Sequence, residues 1–399
     1  MRRSGGILRR QVDPGCAAAT DPTGPFCALI PMSVNDPRFP VHLLTGFLGS
    51  GKTTLLNALL KAPQFANTAV IVNEFGEIGL DHFLIEQSQD NVVLLDAGCL
   101  CCTISDSLHE TLAELHAKRV RGDVPPFERV IVETTGLADP GPILNTLIGH
   151  RFVTAHYRFE AAIVTVDAQH VSGLLDRQPE VAAQIAVADR LVLTKTDLVA
   201  HDPALRTQLR ELNALAPILE SVSGRAALEA FAPLERYRLA VQPVHEEPAS
   251  LERHAHEHHH DHHDRNRHDA HVRAFCTVIE DPASWAGVAA WWQLLSETLG
   301  DRLLRCKGLF RIAESGESVF IQGVQRVFHR PERLAEWPDA DRRSRLVCIA
   351  RDADEAVIIA TLPALQLPSG TDPRAGAAEI RARSAVNSST AQAGSGTMP

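Results

Sequence analysis

Two short stretches concentrate groups able to hold a metal ion. "NEFGEIGLD", Asn73 to Asp81, sets Glu74 and Glu77 in one loop, and "DAGCLCCTISD", Asp96 to Asp106, sets Cys99, Cys101 and Cys102 within four positions. The cysteines follow an apolar strand pattern, "NVVLLD", turn at Gly98 and precede a helical pattern whose first turn carries Ser105 and Asp106. Thiolates are favoured at such a helix start, where exposed N–H groups and the helix dipole lower their pKa. Cys99 and Cys102 have C-x-x-C spacing, which can chelate a tetrahedral Zn²⁺ or close a redox disulfide, and Cys101 offers a further soft ligand. Three cysteine ligands leave a fourth position for exchange, and Glu74 or Glu77 could fill it. The plain alternative is two buried structural cysteines and an incidental third.

Upstream lies a phosphate-binding pattern. "GFLGSGKTT", Gly46 to Thr54, satisfies G-x-x-x-x-G-K-S/T between the apolar strand "VHLLT" and the helix "TTLLNALL". Gly46, Gly49 and Gly51, with Ser50 and Thr54, let backbone N–H groups turn inward around phosphates. Lys52 neutralises the β and γ phosphates, and the Thr53 hydroxyl ligates Mg²⁺. Farther on, "LVLTKTD" closes a strand with Thr194, Lys195 and Asp197. In this K-x-D arrangement the carboxylate accepts from the N1–H and amino group of guanine, donors that adenine lacks, so GTP is the expected nucleotide. Thr194 stands where Asn is usual, so a weaker brace to the phosphate loop is expected. Between these motifs, "VIVETTGLADP" puts Glu133 beside the nucleotide's metal and Gly136 where its N–H can sense a γ-phosphate. Lys52, Thr53 and Glu133 are the candidate catalytic residues. No Gln stands ready to orient water, so slow hydrolysis is expected.

These loops need a sheet to hold them. Seven apolar runs, "VHLLT", "TAVIVNE", "NVVLLD", "RVIVETT", "AAIVTVDA", "RLVLTKTD" and "PILESV", alternate with helical stretches and lack polar alternation. Strands of that kind are buried on both faces, so residues 38–240 read as an α/β, doubly wound, mostly parallel P-loop NTPase sheet. Residues 1–37 are Gly- and Pro-rich and read as a disordered arm; Met32 stands just before the first strand and leaves a later start open. Residues 241–271 form a linker with nine histidines between His254 and His271, dense enough to bind divalent ions in overlapping weak arrangements. Residues 272–366 read as a smaller α+β domain, and 367–399 as a disordered tail. Trp285, Trp291 and Trp292 share one helix and read as core, with a client-docking surface as the alternative. The isolated His42, His82, His109, His116 and His329 read as ordinary structural or surface residues.

Composition narrows the class. The 399 residues are 45% hydrophobic and 22% charged, with a formal charge of −10 that argues against a broad nucleic-acid surface. No apolar run approaches the roughly 20 residues of a membrane span, and "MRRSGGILRR" lacks the apolar core of a secretory signal, so the cytoplasm is expected. Eight scattered cysteines do not make a disulfide framework in such a chain.

Taken in order, "GFLGSGKTTLLNALL", "IVNEFGEIGLD", "GCLCC", "VETTGLADP" and "TKTD" resemble the CobW-type family of GTP-dependent metal chaperones. The His-rich linker and the later "CKGLFRI" and "FIQGVQRVF" extend the resemblance over about Phe39 to Asp352. Many members carry Asn or Ser where this chain has Ala97, and N-K-x-D where it has "TKTD". The resemblance implies Zn²⁺ or a similar divalent ion at the cysteine motif and neighbouring glutamates, GTP with Mg²⁺ at the phosphate loop, and coupling between the two sites. It also implies a client metalloenzyme that receives the metal after hydrolysis, and similarity to nickel-insertion GTPases. The Asn73 to Asp81 loop then acts as a nucleotide-sensitive switch. Monomer and homodimer both stay open. A regulatory GTPase with structural zinc and a passive metal store are the competing functions.

Overall fold

The computed structural model describes residues 30–31, 36–73, 93–96, 104–200, 202–233 and 272–393. In chain order its first part comprises β1 (Ile30–Pro31), β2 (Phe39–Thr45), α1 (Lys52–Leu60), β3 (Thr68–Asn73), β4 (Val93–Asp96), α2 (Ile104–Arg121), β5 (Arg129–Thr134), α3 (Pro140–Gly149) and α4 (Arg151–His156). It continues with β6 (Tyr157–Asp167), α5 (Val171–Leu175), α6 (Pro179–Val187), β7 (Arg190–Thr194), α7 (Pro203–Leu212), β8 (Ile218–Ser221) and α8 (Ala227–Ala230). Strands β2 to β8 form one sheet in the order β4-β3-β5-β2-β6-β7-β8, every pairing parallel.

The absence of polar alternation explains why both faces are covered. Val41, Leu43, Ala69, Ile71, Val130 and Val132 pack against Leu108, Leu112 and Leu115 of α2 and Ile143, Leu144 and Leu147 of α3. The intervening Leu44, Val70, Val72 and Ile131 pack against Leu55, Leu56 and Leu59 of α1 on the other face. Successive side chains of a strand point to opposite faces, so a continuous apolar run needs a helix layer on each. Helix starts follow local chemistry. Asp139 accepts from Gly141 N at 2.9 Å ahead of Pro140, and Asp202 accepts from Ala204 N at 2.9 Å ahead of Pro203.

The C-terminal unit contains β9 (Val272–Ile279), α9 (Trp285–Leu299), β10 (Leu303–Arg311), β11 (Ser318–Val324), β12 (Val327–Phe328), β13 (Glu332–Arg333), β14 (Ser344–Arg351), α10 (Glu355–Ile359) and α11 (Pro373–Ala393). Its sheet runs β1-β13-β11-β10-β14-β9 with β12 on β11, and all pairs except β1–β13 are antiparallel. Helix α9 is capped by Ser284, whose Oγ accepts from Gly287 N at 2.8 Å. Trp291 and Trp292 are buried in the core of this unit, and Trp285 packs partly buried against it, so the helix serves as core.

Two expectations need correction. The segment read as a disordered tail contains α11, whose Ala377 and Ile380 pack into the core beneath α9. Its Ala-rich composition resembled low complexity, yet Ala is the strongest helix former, and an apolar pair three residues apart supplies a face to bury. The arm read as disordered contributes Ile30–Pro31, which pairs with Glu332–Arg333 as a short parallel strand.

The two units share buried surface. Val272, Leu304 and Ile349 join a cluster containing Val181, Ile185 and Leu191. Asn145 Nδ2 donates to Gln325 Oε1 at 2.8 Å across the same junction. Beneath it, Asp189 Oδ1 accepts from Arg305 at 3.0 Å and from Lys307 Nζ at 2.5 Å.

Candidate nucleotide site

The phosphate loop leaves β2 at Thr45 and enters α1 at Lys52. Gly51 caps α1 with φ 94°, and Gly46 has φ 138° with no room for a side chain: a Cβ there would lie 2.3 Å from Thr165 O. Both positions call for glycine, the first for its left-handed backbone and the second for close approach as well. Ser50, buried, shares a 2.7 Å hydrogen bond with Thr165 Oγ1, which pins the loop to the end of β6. Gly49 and Thr54 are exposed. Lys52 Nζ donates to the carbonyls of Gly46 and Phe47 at 3.0 and 3.3 Å, folding its ammonium over the cradle.

Thr53 and Glu133 meet. The Thr53 hydroxyl donates to Glu133 Oε1 at 2.9 Å, and Glu133 is only 4% exposed at the end of β5. Next to it on β5, Thr134 Oγ1 donates to Thr45 Oγ1 on neighbouring β2 at 2.7 Å. The turn that follows lies against the phosphate loop: a Cβ on buried Gly136 would come within 2.4 Å of Leu48 N. Gln184, buried on α6, donates through Nε2 to Gly136 O and Ala138 O, both at 3.1 Å, and so frames this turn from below.

The base-reading loop shows how Thr replaces Asn. Thr194 Oγ1 lies 2.7 Å from Ser50 O and 3.2 Å from Val166 O, so the hydroxyl itself ties β7 to the phosphate loop. The weaker brace expected from the sequence is met by a short hydroxyl contact. Lys195 adopts φ 56° and donates to Asp167 Oδ2 at 2.7 Å, while Asp197 stands exposed in the next turn. Burial works against the charge on Asp167, but hydrogen bonds from Lys195 and His170 outweigh it and hold the carboxyl below its usual range.

Thr165, Asp167 and Gln184 were not singled out in the sequence. An acid closing the apolar run "AAIVTVD" on the same sheet edge as the phosphate loop was the available signal for Asp167. Cys99, Cys101, Cys102, Glu74 and Glu77 lie outside the described residues. Among the described residues no three His, Cys, Asp or Glu side chains cluster to hold a metal, and no helix is long and apolar enough to cross a membrane.

Comparison with known proteins decides the family. Residues 40–220 match the CobW/HypB/UreG nucleotide-binding domain, and 272–366 match the cobalamin synthesis protein cobW C-terminal domain. The zinc chaperone YjiA of Escherichia coli is 31% identical over 330 residues, covering 82% of this chain and 98% of its own. The chain belongs to the CobW/HypB/UreG family. The zinc chaperone CobW of Pseudomonas aeruginosa is 30% identical over 363 residues, covering 80% of this chain and 90% of its own. The crystal structure of Zn(II)-bound YjiA GTPase from E. coli superposes with TM-score 0.58 at 27% identity, covering 83% of this chain and 99% of that one. In this chain the P-loop domain is followed by a separate C-terminal sheet domain.

Proposed function

We propose that this chain binds and hydrolyses GTP and uses the cycle to hold and release Zn²⁺, or a similar divalent ion, at Cys99, Cys101 and Cys102 for a client metalloprotein in the cytoplasm. The observation that carries the reading is strand register. Asp96, Val72, Glu133 and Leu44 are successive partners across β4, β3, β5 and β2. The segments bearing the glutamates and the cysteines therefore leave the same sheet edge as the phosphate loop. At about 4.8 Å per strand, the end of β4 at Asp96, which the cysteine segment follows, is about 10 Å from the Glu133 backbone. The zinc chaperones and GTPase named among the relatives support the same cargo and nucleotide.

Each residue near the nucleotide then has a task. Lys52 exchanges its two carbonyl partners for phosphate oxygens, and the backbone N–H groups of Gly49 to Thr53 surround them. Lys195 lies along the base while Asp197 accepts from its N1–H and amino group. Thr53 and Glu133 form a hard oxygen pair that suits Mg²⁺, which would offset phosphate charge when bound. Gly136, held by Gln184, stands where a γ-phosphate would displace its turn and reposition the Asn73 to Asp81 segment that follows neighbouring β3.

If that segment supplies Glu74 or Glu77 to the metal, GTP and GDP forms must hold Zn²⁺ with different affinity, and Zn²⁺ must alter nucleotide affinity by the same factor. A coupling of about 1–3 kcal/mol corresponds to roughly 5–150-fold. Zn²⁺ titration against a competing chelator, on reduced protein carrying GDP or a non-hydrolysable GTP analogue, should show that difference and lose it in Cys101→Ala. One tight affinity regardless of nucleotide would overturn the reading in favour of a regulatory GTPase with structural zinc.

A further inference from the structure

The turn that carries Gly136 is joined to the C-terminal unit through one helix. Only Leu137, Ala138 and Asp139 separate Gly136 from Pro140, the first residue of α3. This connector is held at both ends: Gln184 donates to Gly136 O and Ala138 O, and Asp139 accepts from Gly141 N at 2.9 Å. Turn and helix therefore move as one piece. Gly141, Asn145 and Gly149 recur at every fourth residue and so lie along one side of α3, where their short side chains let the tip of the β11–β12 hairpin come close. A Cβ on Gly141 would stand 2.5 Å from Gln325 Nε2 and one on Gly149 2.7 Å from Val327 Cγ1, while Asn145 Nδ2 donates to Gln325 Oε1 at 2.8 Å.

The hairpin is a lever with a different partner on each face. Val324 and Val327 pair across it and join the P-loop domain's core cluster, which contains Ile143, Leu144 and Leu147 of α3. The next pair, Gly323 and Phe328, points the other way, as alternation along a strand requires, and meets Trp292 of α9. A Cβ on Gly323 would stand 2.1 Å from that ring, and the Phe328 and Trp292 centroids are 4.8 Å apart. Gln325 turns the tip with φ 50°, and its N–H donates to Leu303 O on β10 at 2.9 Å. Hydrogen bonding along this seam is incomplete. Asn145 Oδ1, Gln322 Nε2 and Arg305 Nε are buried without a hydrogen-bond partner among the described residues, although buried polar atoms ordinarily have one. Each carries a desolvation cost that a shifted seating can recover, which is what a junction with two arrangements needs.

We propose that this hairpin carries the nucleotide state to the C-terminal unit. The proposal rests on the reading that a γ-phosphate lodges against the Gly136 N–H. A phosphate there moves the turn off Leu48, α3 moves with the turn, and the hairpin follows because Gln325 is keyed to Gly141 and Asn145. Trp292, and with it the packing of α9, then reseats. GDP has no γ-phosphate and leaves the hairpin where it is. Coupling of this kind is reciprocal, so a partner that binds the C-terminal unit in one seating alters the affinity for GTP relative to GDP by the same factor. The cysteine motif and its metal take no part.

The test is fluorine NMR on the full-length chain with fluorotryptophan at its four tryptophans, the resonances assigned through Trp292→Phe and Trp337→Phe. Calorimetry first establishes that GDP and a non-hydrolysable GTP analogue, each with Mg²⁺, are bound. The Trp292 resonance is expected to shift with the analogue and to hold its position with GDP. Trp337, which packs against the separate cluster of Leu309, Phe320 and Leu334, should hold in both. Gln325→Gly deletes the key while suiting the positive φ, and should abolish the Trp292 shift with the analogue still bound. Asn145→Ala removes the other half of the contact and should do the same should the first variant fold poorly. A bound analogue that leaves Trp292 in place, or a full shift persisting in both variants, would overturn the relay. Failure of the analogue to bind at all would overturn instead the nucleotide reading beneath it.

Discussion

Replacing Asp189 with Asn should cost far more than any surface ion pair would suggest. Asp189 sits between α6 and β7, is 4% exposed, and anchors itself by accepting from Ala162 N at 2.8 Å through Oδ2. Its other oxygen accepts from Arg305 and Lys307, each only 2% exposed, on β10 of the C-terminal unit. Burial opposes the charge on Asp189, but the two cations overcome it and hold the carboxyl far below its usual range. Asn keeps the shape and removes the charge, leaving two desolvated cations facing a neutral amide. Breaking a buried pair in this way costs about 3–5 kcal/mol. All four tryptophans, Trp285, Trp291, Trp292 and Trp337, belong to the C-terminal unit, so tryptophan fluorescence reports that unit while circular dichroism reports both. At about 2–4 °C per kcal/mol for units of this size, the fluorescence midpoint should fall by roughly 6–20 °C. The pH dependence has a definite sign. A depressed carboxylate contributes its full stability above the unfolded value near 4 and loses it as pH falls toward the folded value. Wild-type protein should therefore weaken below about pH 4, and Asp189→Asn should lack that part of the slope. The combined Asp189→Leu, Arg305→Met and Lys307→Met protein should recover most of the loss, since an apolar replacement of the whole cluster strands no charge. A loss under about 1 kcal/mol in Asp189→Asn would refute this account of the junction.

Three further substitutions test the nucleotide site and the core. Thr194→Ala removes the hydroxyl contacts to Ser50 O and Val166 O, so binding of a fluorescent GTP analogue should weaken by about 1–2 kcal/mol, or roughly 5–30-fold, while Thr194→Ser retains it. Gly136→Ala drives a Cβ into the Leu48 backbone at 2.4 Å; nucleotide affinity should fall at least about 10-fold, or about 1.4 kcal/mol, with the circular dichroism spectrum unchanged. Gly323→Ala sets a Cβ 2.1 Å from the Trp292 ring, so urea unfolding followed by fluorescence should show a loss of about 1–3 kcal/mol from overpacking.

What the sequence determined was everything whose physics is local. Seven apolar runs without polar alternation foretold a parallel sheet covered on both faces, and all seven are strands of one sheet. The phosphate loop was legible because its glycines, Lys52 and Thr53 are contiguous and their strand and helix flank them directly. Elsewhere local character was misleading or silent. The Ala-rich tail concealed α11, because whether Ala377 and Ile380 form a face depends on α9 being there to cover it. The hydroxyl of Thr194 became a brace only because β7 ends beside Ser50. Asp189 lies more than a hundred residues from Arg305 and Lys307, and each alone reads as a surface charge. His109 likewise reads as an ordinary residue until two helices bring its ring against that of His150. Only tertiary structure decided these, because a side chain's charge, burial and partners are set by what the rest of the chain packs against it.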